Sequence, residues 1–285
     1  MTNYFNSKYP IIALAMNQVS DAKFAIECSN AGIYPSISLF NYYKNNTINY
    51  ERFIRETTLN NFMLSLTILD LKNKYVLTLI KKLKIPCIEI ILPFEQDCLS
   101  EEESKLINFL KKDHLICLKC PEYIKNSTIE LFDCLILKGK DGAGFIGNNN
   151  ESIKNIFYKV KNDYPNKKII VSGGIETKQQ IKYFLNEGAT AIGIGTLFAL
   201  SKESSIPFNT KLKMSTNQIK QITNYNNDKK NSIVFSEIDN KEDDLNNSKS
   251  LIKGINGIEG HIYAGTAVKN IKEIKSLKQI VEELI

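Results

Sequence analysis

Residues 167–204 limit the fold of this chain more than any other stretch. An apolar segment at residues 169–171 runs directly into Ser172 to Gly174, and a second one at residues 191–194 runs into Gly195 and Thr196. Glycines at the ends of strands let backbone N–H groups approach a phosphate closely, because no Cβ stands in the way. Two such turns in succession predict one phosphate-binding site.

The segment between the two turns has the pattern of a helix. Glu176 and Thr177 are residue types that favour a helix N-terminus, and Gly188 marks its end. Two parallel strands joined by such a helix indicate an α/β fold with ligands at the carboxyl ends of the strands. In (β/α)8 barrels the loops after strands seven and eight commonly hold a phosphate. The alternative is that these glycines only make tight turns, as in any α/β protein.

The rest of the chain repeats the same alternation of strand and helix patterns. Short apolar runs precede segments with helical spacing six more times, which brings the number of predicted strands to eight. We therefore predict a (β/α)8 TIM barrel. The predicted strands are Tyr9–Met16, Ile33–Ser38, Asn61–Thr67, Cys87–Leu92, His114–Lys119, Phe132–Leu137, Ile169–Val171 and Ala191–Ile194.

The pattern weakens after the eighth strand. Residues 215–250 are rich in Asn, Lys, Asp and Ser, which predicts a polar, flexible insertion over residues 205–254. Residues 272–285 regain apolar spacing and predict a C-terminal amphipathic helix. Nothing in the sequence divides the chain, so residues 1–285 are predicted to form a single domain.

Composition narrows the class of protein. The formal net charge is +6, but the lysines are scattered among acidic residues, so no nucleic-acid partner is expected. The apolar run at residues 11–16 is too short to span a membrane, and no membrane partner is expected. Six cysteines without a regular framework fit a reducing compartment, and we predict a cytoplasmic protein. The oligomeric state stays open.

Three groups of residues are candidate chemical sites. Cys117 and Cys120 have redox or metal spacing, but they fall on a predicted strand, where they would face opposite ways, and we expect no metal site. The two histidines, His114 and His261, limit acid–base chemistry; His114 is expected to be structural, whereas His261 could be structural or functional. The loop at residues 141–147 suits the wrapping of a flat cofactor, or is an ordinary glycine turn.

Six short motifs follow one another along nearly the whole chain. They are Tyr9–Ile12 with Met16, Ser29–Gly32, Gly139–Gly144, Ser172–Ile175, Gly188–Ala189 with Gly193–Thr196, and Ala264–Ala267. Each motif is weak alone, but the ordered set resembles the FMN-dependent nitronate monooxygenases, formerly called 2-nitropropane dioxygenases, and the related flavin-dependent enoyl-acyl-carrier-protein reductases.

The resemblance implies a TIM barrel that binds FMN noncovalently. The phosphate would lie on the two glycine turns, and Met16 and Asn17 would approach the flavin ring through the backbone. Ser65 stands where the family usually has Asn, and Lys119 is a customary contact. The cofactor-binding residues implied in this way are Met16, Asn17, Ser65, Lys119, Asp141, Gly142, Gly144, Ser172, Gly173, Gly174, Gly195 and Thr196.

One departure from the family pattern affects the chemistry. Phe145 occupies the position of the family's catalytic His and cannot move a proton, so the catalytic residue is unknown. A nitronate is already deprotonated, so we predict a flavin-dependent monooxygenase that oxidises small nitronates with molecular oxygen. The alternatives are an NAD(P)H-dependent enoyl-thioester reductase and an FMN-binding paralogue with altered or lost catalysis.

Overall fold

The structure is a computed structural model. It describes residues 4–44, 47–92, 98–120, 126–145, 151–216, 220–223, 232–236 and 261–285. Eight parallel strands form the central sheet, and they match the eight apolar runs of the sequence in number and order. They are β1 Ile11–Ala13, β2 Ser36–Ser38, β3 Met63–Thr67, β4 Cys87–Ile91, β5 Leu115–Cys120, β6 Cys134–Lys138, β7 Lys168–Ser172 and β8 Ala191–Ile194.

The sheet closes into a barrel. Its strands follow in the order β1, β8, β7, β6, β5, β4, β3 and β2, each hydrogen-bonded to the next. A parallel bridge between Ile12 and Tyr34, just before β2, joins the two ends of the sheet. The predicted TIM barrel is therefore confirmed.

Side chains of each strand alternate between two apolar layers, as a strand requires. One layer fills the inside of the barrel and includes Ile12, Met63, Cys87, Cys117 and Ile136. The other layer packs between the strands and the surrounding helices. This alternation decides which polar residues point into the barrel.

The helices cover the outside of the barrel. They are α1 Ala22–Asn30, α2 Tyr50–Glu56, α3 Lys74–Leu83, α4 Glu101–Leu110, α5 Thr128–Leu131, α6 Ile153–Asp163, α7 Lys178–Asn186, α8 Thr196–Ala199, α9 Phe208–Ser215 and α10 Leu277–Leu284. Short 3-10 helices occupy Leu39–Tyr42, Asp70–Lys72 and Thr266–Asn270.

Local sequence explains where α7 and α10 begin and end. Thr177 caps α7 in a capping box with Gln180, and Gly188 follows the helix with a φ of +96°. Ser276 caps α10, which begins at Leu277, five residues later than residue 272, where the sequence predicted the helix to begin. The reason is local, because Ser276 and Gln279 form the capping box that starts the helix.

Short antiparallel strands lie outside the barrel. Tyr43–Lys44 pairs with Thr47–Ile48. A second small sheet joins strands that are far apart in the sequence, and in it Phe145 is in register with Ser232. Its strands are Gly144–Phe145, Lys220–Thr223, Ser232–Ser236 and His261–Tyr263.

The predicted insertion at residues 205–254 is only partly described. Within it the structure has α9, two strands and the connecting residues 205–207 and 216, and the other residues lie outside the described ranges. Its flexibility and the single-domain assignment of residues 1–285 stay predictions. None of the helices described in the structure is both long and apolar enough to cross a bilayer.

Candidate active site

Glycine turns at the carboxyl ends of β6 and β7 pack directly against each other. Gly173 and Gly174 follow β7 with φ of +94° and +76°, a region that favours glycine. A Cβ on Gly173 would lie 2.7 Å from the backbone N of Gly139, and one on Gly174 would lie 2.5 Å from Cβ of Asp141. Only glycine fits at these two positions, so the backbone itself forms a cradle at this end of the barrel.

The third turn, after β8, completes the same edge. No hydrogen bond among the described residues uses the backbone N–H groups of Gly173, Gly174, Gly195 or Thr196. All four residues are partly buried. Backbone N–H groups that are unused at the ends of adjacent strands are suited to an anion such as a phosphate.

The segment at residues 264–267 closes the cradle from the outside. The Gly265 N–H donates to Thr196 Oγ1 at 2.9 Å, and the Thr266 N–H donates to the Asp141 carbonyl at 3.0 Å. A Cβ on Gly265 would lie 2.6 Å from that same carbonyl oxygen. This segment therefore ties the loop after β6 to the turn after β8.

The residues after β1 lie next to this cradle. Met16 Sδ would be 3.6 Å from a Cβ on Gly195. The Met16 N–H donates to Ser20 Oγ at 3.0 Å, so it is already used within its own turn. Asn17 Oδ1 accepts from Ser38 Oγ at 2.8 Å. The backbone approach predicted for Met16 would therefore have to use an atom other than its N–H.

A second group of polar residues lies inside the barrel, on strands β3 to β6. Ser65 Oγ donates to Glu89 Oε1 at 2.8 Å, and Lys119 Nζ donates to the same oxygen at 3.1 Å. The Glu89 side chain is fully buried, and its Oε2 has no hydrogen-bond partner within the described ranges of the chain. A buried carboxylate with one unsatisfied oxygen retains capacity for a further donor. We call Ser65, Glu89, Lys119 and Lys138 the interior polar cluster.

Lys138 is the last residue of β6 and is partly buried. Its amine donates to the Ala143 carbonyl in the loop above it. Burial lowers the pKa of Lys138 from 10.5 to about 7, with a further lowering from Lys119 and an opposing effect from Glu89. A group with this pKa exchanges its proton near neutral pH.

Not every predicted contact offers its side chain to a ligand. The Ser172 hydroxyl is fully buried and donates to the Leu137 carbonyl at 2.7 Å. Gly142 donates its N–H to Gly139, which shapes the loop after β6. Gly144 and Phe145 belong to the outer antiparallel sheet, in which Gly144 is in register with Ile233.

The sequence interpretation missed Glu89 and Lys138. A signal was present, since each is the one charged residue in an otherwise apolar or thiol-bearing strand, Cys87–Ile91 and Cys134–Lys138. Two-residue alternation from Cys87 and Ile136, which point into the barrel, would have placed both side chains inside it.

Other candidate groups have structural roles. Cys117 lies in the inner apolar layer and Cys120 in the outer one, and burial raises the pKa of the Cys120 thiol to about 12. His114 Nδ1 donates to the Ile85 carbonyl at 2.7 Å. Within the described ranges, no group of three or more His, Cys, Asp or Glu residues is arranged to hold a metal ion.

The sequence profile of one family matches residues 122–285, more than half of the chain; its description is "Nitronate monooxygenase". The chain belongs to the nitronate monooxygenase family. The matched region contains the three turns of the cradle and the segment at residues 264–267. It does not contain Ser65, Glu89 or Lys119, so Lys138 is the one residue of the interior polar cluster that the family match covers.

Solved structures of low sequence identity share the fold. FabK from Thermotoga maritima superposes with a TM-score of 0.74 at 18% identity, over 98% of this chain and 92% of that chain. A mutant of FabK gives 0.75. A nitroalkane oxidase from Streptomyces ansochromogenes gives 0.70 at 13% identity, over 98% and 95%. A search of curated protein sequences found no significant match.

Family membership fixes the general activity. As a member of the nitronate monooxygenase family, the protein is a flavin-dependent oxidoreductase. The resemblance that the motifs predicted is thereby confirmed. The structural similarities, at 13 to 18% identity, support the barrel fold alone.

Proposed function

We propose that this chain binds FMN and oxidises small alkyl nitronates with molecular oxygen. The observation that carries the proposal is the cradle after β6, β7 and β8, where glycines leave backbone N–H groups available and any Cβ on Gly173 or Gly174 would collide with the neighbouring loop. This geometry fits the phosphate of FMN, which is an anion that backbone N–H groups bind well.

Different residues would bind different parts of the cofactor. Gly173, Gly174, Gly195 and Thr196 would bind the phosphate, and Met16 with Asn17 would border the ring. Ser65 and Lys119 come from the interior polar cluster, on the strands across the barrel. Asp141, Gly142 and Gly144 supply the loop between these two sides. Bound FMN supplies the electron-accepting chemistry.

The interior polar cluster also favours an anionic substrate. It contains Lys119, which pairs with the carboxylate of Glu89, and Lys138, which with a pKa of about 7 is partly protonated at neutral pH. A nitronate carries its negative charge on the nitro oxygens, and a lysine ammonium attracts such a group in a partly buried site. Lys119 would thus orient the nitronate, while the barrel wall excludes water from it.

The test is an anaerobic titration of the purified, FMN-loaded enzyme with propyl-2-nitronate. We expect the visible flavin band to bleach and to return when air is admitted, without NADH or NADPH. A colourless protein that takes up no FMN on reconstitution would contradict the proposal. Bleaching by NADH followed by recovery with an enoyl thioester would instead indicate a reductase.

A further inference from the structure

Glu89 is the buried carboxylate at the centre of the interior polar cluster, and its two oxygens differ. Ser65 Oγ and Lys119 Nζ both donate to Oε1, at 2.8 and 3.1 Å. No group in the described part of the chain donates to Oε2. A buried carboxylate oxygen without a donor raises the free energy of the folded protein, because it has left water and gained no partner. Oε2 is therefore an acceptor to which a ligand can donate.

Glu89 lies on the strand opposite the cradle. Around the closed sheet, β4 is four strands away from β8, whose turn belongs to the cradle. Cys87, two residues earlier on β4, belongs to the inner apolar layer, so alternation directs the Glu89 side chain to the inside of the barrel as well. The carboxylate and the cradle thus border the same interior from opposite walls.

The register places this carboxylate close to the mouth of the barrel. Glu89 is in register with Cys117 on β5, and Ile91 with Lys119. Lys119 is therefore one inward-facing position nearer the carboxyl end than Glu89. The Lys119 side chain is 16% exposed and the Glu89 side chain is not exposed at all. A flexible lysine chain thus stands between the buried carboxylate and the open end, where the cradle lies.

The nitronate substrate cannot supply the donor for Oε2. A nitronate is an anion without an N–H or O–H group, and a carboxylate repels it. Apart from its phosphate, oxidised FMN has two kinds of donor, the ribityl hydroxyls and the ring N3–H, which lies between two ring carbonyls. The ribityl chain joins the ring to the phosphate, so the chain lies nearer the cradle and the ring extends toward the opposite wall. The ring N3–H is the donor that matches the position of Glu89.

We propose that Glu89 Oε2 accepts a hydrogen bond from the N3–H of the bound flavin and so fixes the orientation of the ring in the barrel. The cradle would supply most of the affinity for FMN, and Glu89 the orientation of its ring. Glu89 is then a cofactor-binding residue that the family resemblance does not imply. This inference rests on the proposed function, because it assigns a residue to the cofactor which that function requires.

The experiment compares two flavins in fluorescence titrations of the cofactor-free protein, FMN and 3-methyl-FMN. The methyl group replaces the N3 hydrogen and leaves the phosphate and the ribityl chain unchanged. We expect the wild type to bind 3-methyl-FMN about 10-fold or more weakly than FMN, because a charge-assisted hydrogen bond to a buried oxygen is lost. The titration measures binding only and does not depend on turnover.

Two variants separate this hydrogen bond from a steric effect of the methyl group. Glu89→Gln keeps an amide oxygen for Ser65 and Lys119 and turns an NH2 group toward N3, so the preference for FMN over 3-methyl-FMN should fall below about 3-fold. The matched control is Glu103→Gln. Glu103 is also buried and pairs with a lysine, Lys72, but it lies on α4 outside the barrel, and glutamine preserves its capping box. This control should keep the wild-type preference.

A second readout reports on the hydrogen bond itself. With 15N at N3 of FMN, the N3–H proton of the wild-type complex should resonate downfield of that of free FMN and exchange slowly with water. In the Glu89→Gln complex it should move back upfield, which a merely structural role of Glu89 would not cause. If Glu89→Gln does not fold, the wild-type signal and the wild-type preference decide.

The outcomes distinguish this inference from the proposed function. Equal affinity of the wild type for FMN and 3-methyl-FMN would overturn the inference and leave the proposed function standing. An unchanged preference in Glu89→Gln would also overturn it, as would an N3–H signal that exchanges as fast as in free FMN. If the wild type binds neither flavin, both the inference and the proposed function fail.

Discussion

The candidate site has two sides, one built from backbone groups and the other from side chains. The cradle after β6, β7 and β8 is made of backbone, and its essential residues are glycines. The interior polar cluster is made of side chains from four strands, held around one buried carboxylate. The family profile matches the three turns of the cradle and begins at residue 122, after three of the four residues of the interior polar cluster.

This enzyme can differ from its relatives more readily in the interior polar cluster than in the cradle. A backbone cradle tolerates almost no substitution, because added Cβ atoms would collide with the adjacent loop. A side-chain cluster can change residue by residue while the barrel remains. We therefore expect the cradle to determine cofactor binding and the interior polar cluster to determine the substrate. The following four predictions test that division, from the largest expected effect to the smallest.

Replacing Glu89 should have the largest effect on stability. Glu89→Ala leaves Lys119 without its buried partner, so we expect the free energy of unfolding to fall by about 3 kcal/mol in urea titrations. The control is Glu101→Ala, which removes an exposed partner of Lys105 on α4 and should change little. Equal effects of the two variants would show that the cluster is not a stabilising unit.

A methyl group added in the cradle should weaken cofactor binding. Gly173→Ala introduces a Cβ 2.7 Å from the Gly139 N, and we expect FMN affinity to fall about 100-fold, or roughly 3 kcal/mol, in fluorescence titrations.

The control for this variant is Gly188→Ala. Gly188 also has a positive φ, but a Cβ there would approach only Lys161 Nζ, at 3.7 Å. Both variants should lower Tm because of the strained φ, and only Gly173→Ala should lose FMN. Equal FMN affinity in the two variants would disprove a role for the cradle.

Lys138 should make stability depend on pH. Its pKa is lowered to about 7 in the folded state and returns to about 10.5 on unfolding, so between these values the unfolded chain binds more protons. The free energy of unfolding should therefore gain from this group as pH rises from 7 toward 10. Lys138→Met should lack this gain in urea titrations at pH 6.5, 8 and 9.5.

Lys105→Met, at an exposed lysine on α4, is the control for that pH series. A pH dependence in Lys138→Met that matches the wild type would contradict the lowered pKa.

The smallest effect is expected at the link between the cradle and the segment at residues 264–267. Thr196→Val removes the acceptor of the Gly265 N–H and should cost about 1 kcal/mol of stability, with a similar loss in FMN binding. Thr196→Ser keeps the hydroxyl and should behave like the wild type. If Thr196→Ser loses as much stability and FMN affinity as Thr196→Val, the threonine methyl group and not the hydrogen bond is responsible for both.

Much of this molecule could be predicted from local sequence patterns. The eight apolar runs correspond to the eight barrel strands, and Gly173, Gly174 and Gly195 mark the cradle, because strand burial and positive φ values restrict residue type locally. The start of α10 was misplaced, since a single Ser276–Gln279 capping box decided it.

The interior polar cluster could not be predicted in the same way. The family resemblance implies Ser65 and Lys119 as two separate contacts of a flavin, yet in the structure both donate to one oxygen of Glu89. Strand order and register bring these residues together, and both are properties of the closed barrel. A sequence read along one strand contains no information on which residue of the next strand lies beside it.

The sequence by itself thus determined the barrel, the glycine cradle and the absence of a histidine at position 145. The reason is that hydrophobic periodicity and glycine geometry act over a few neighbouring residues. Only the tertiary structure decided that Lys138 lies beside Lys119 and Glu89 under the loop after β6. Its lowered pKa depends on burial and on charges from other strands, and these exist only once the barrel has closed.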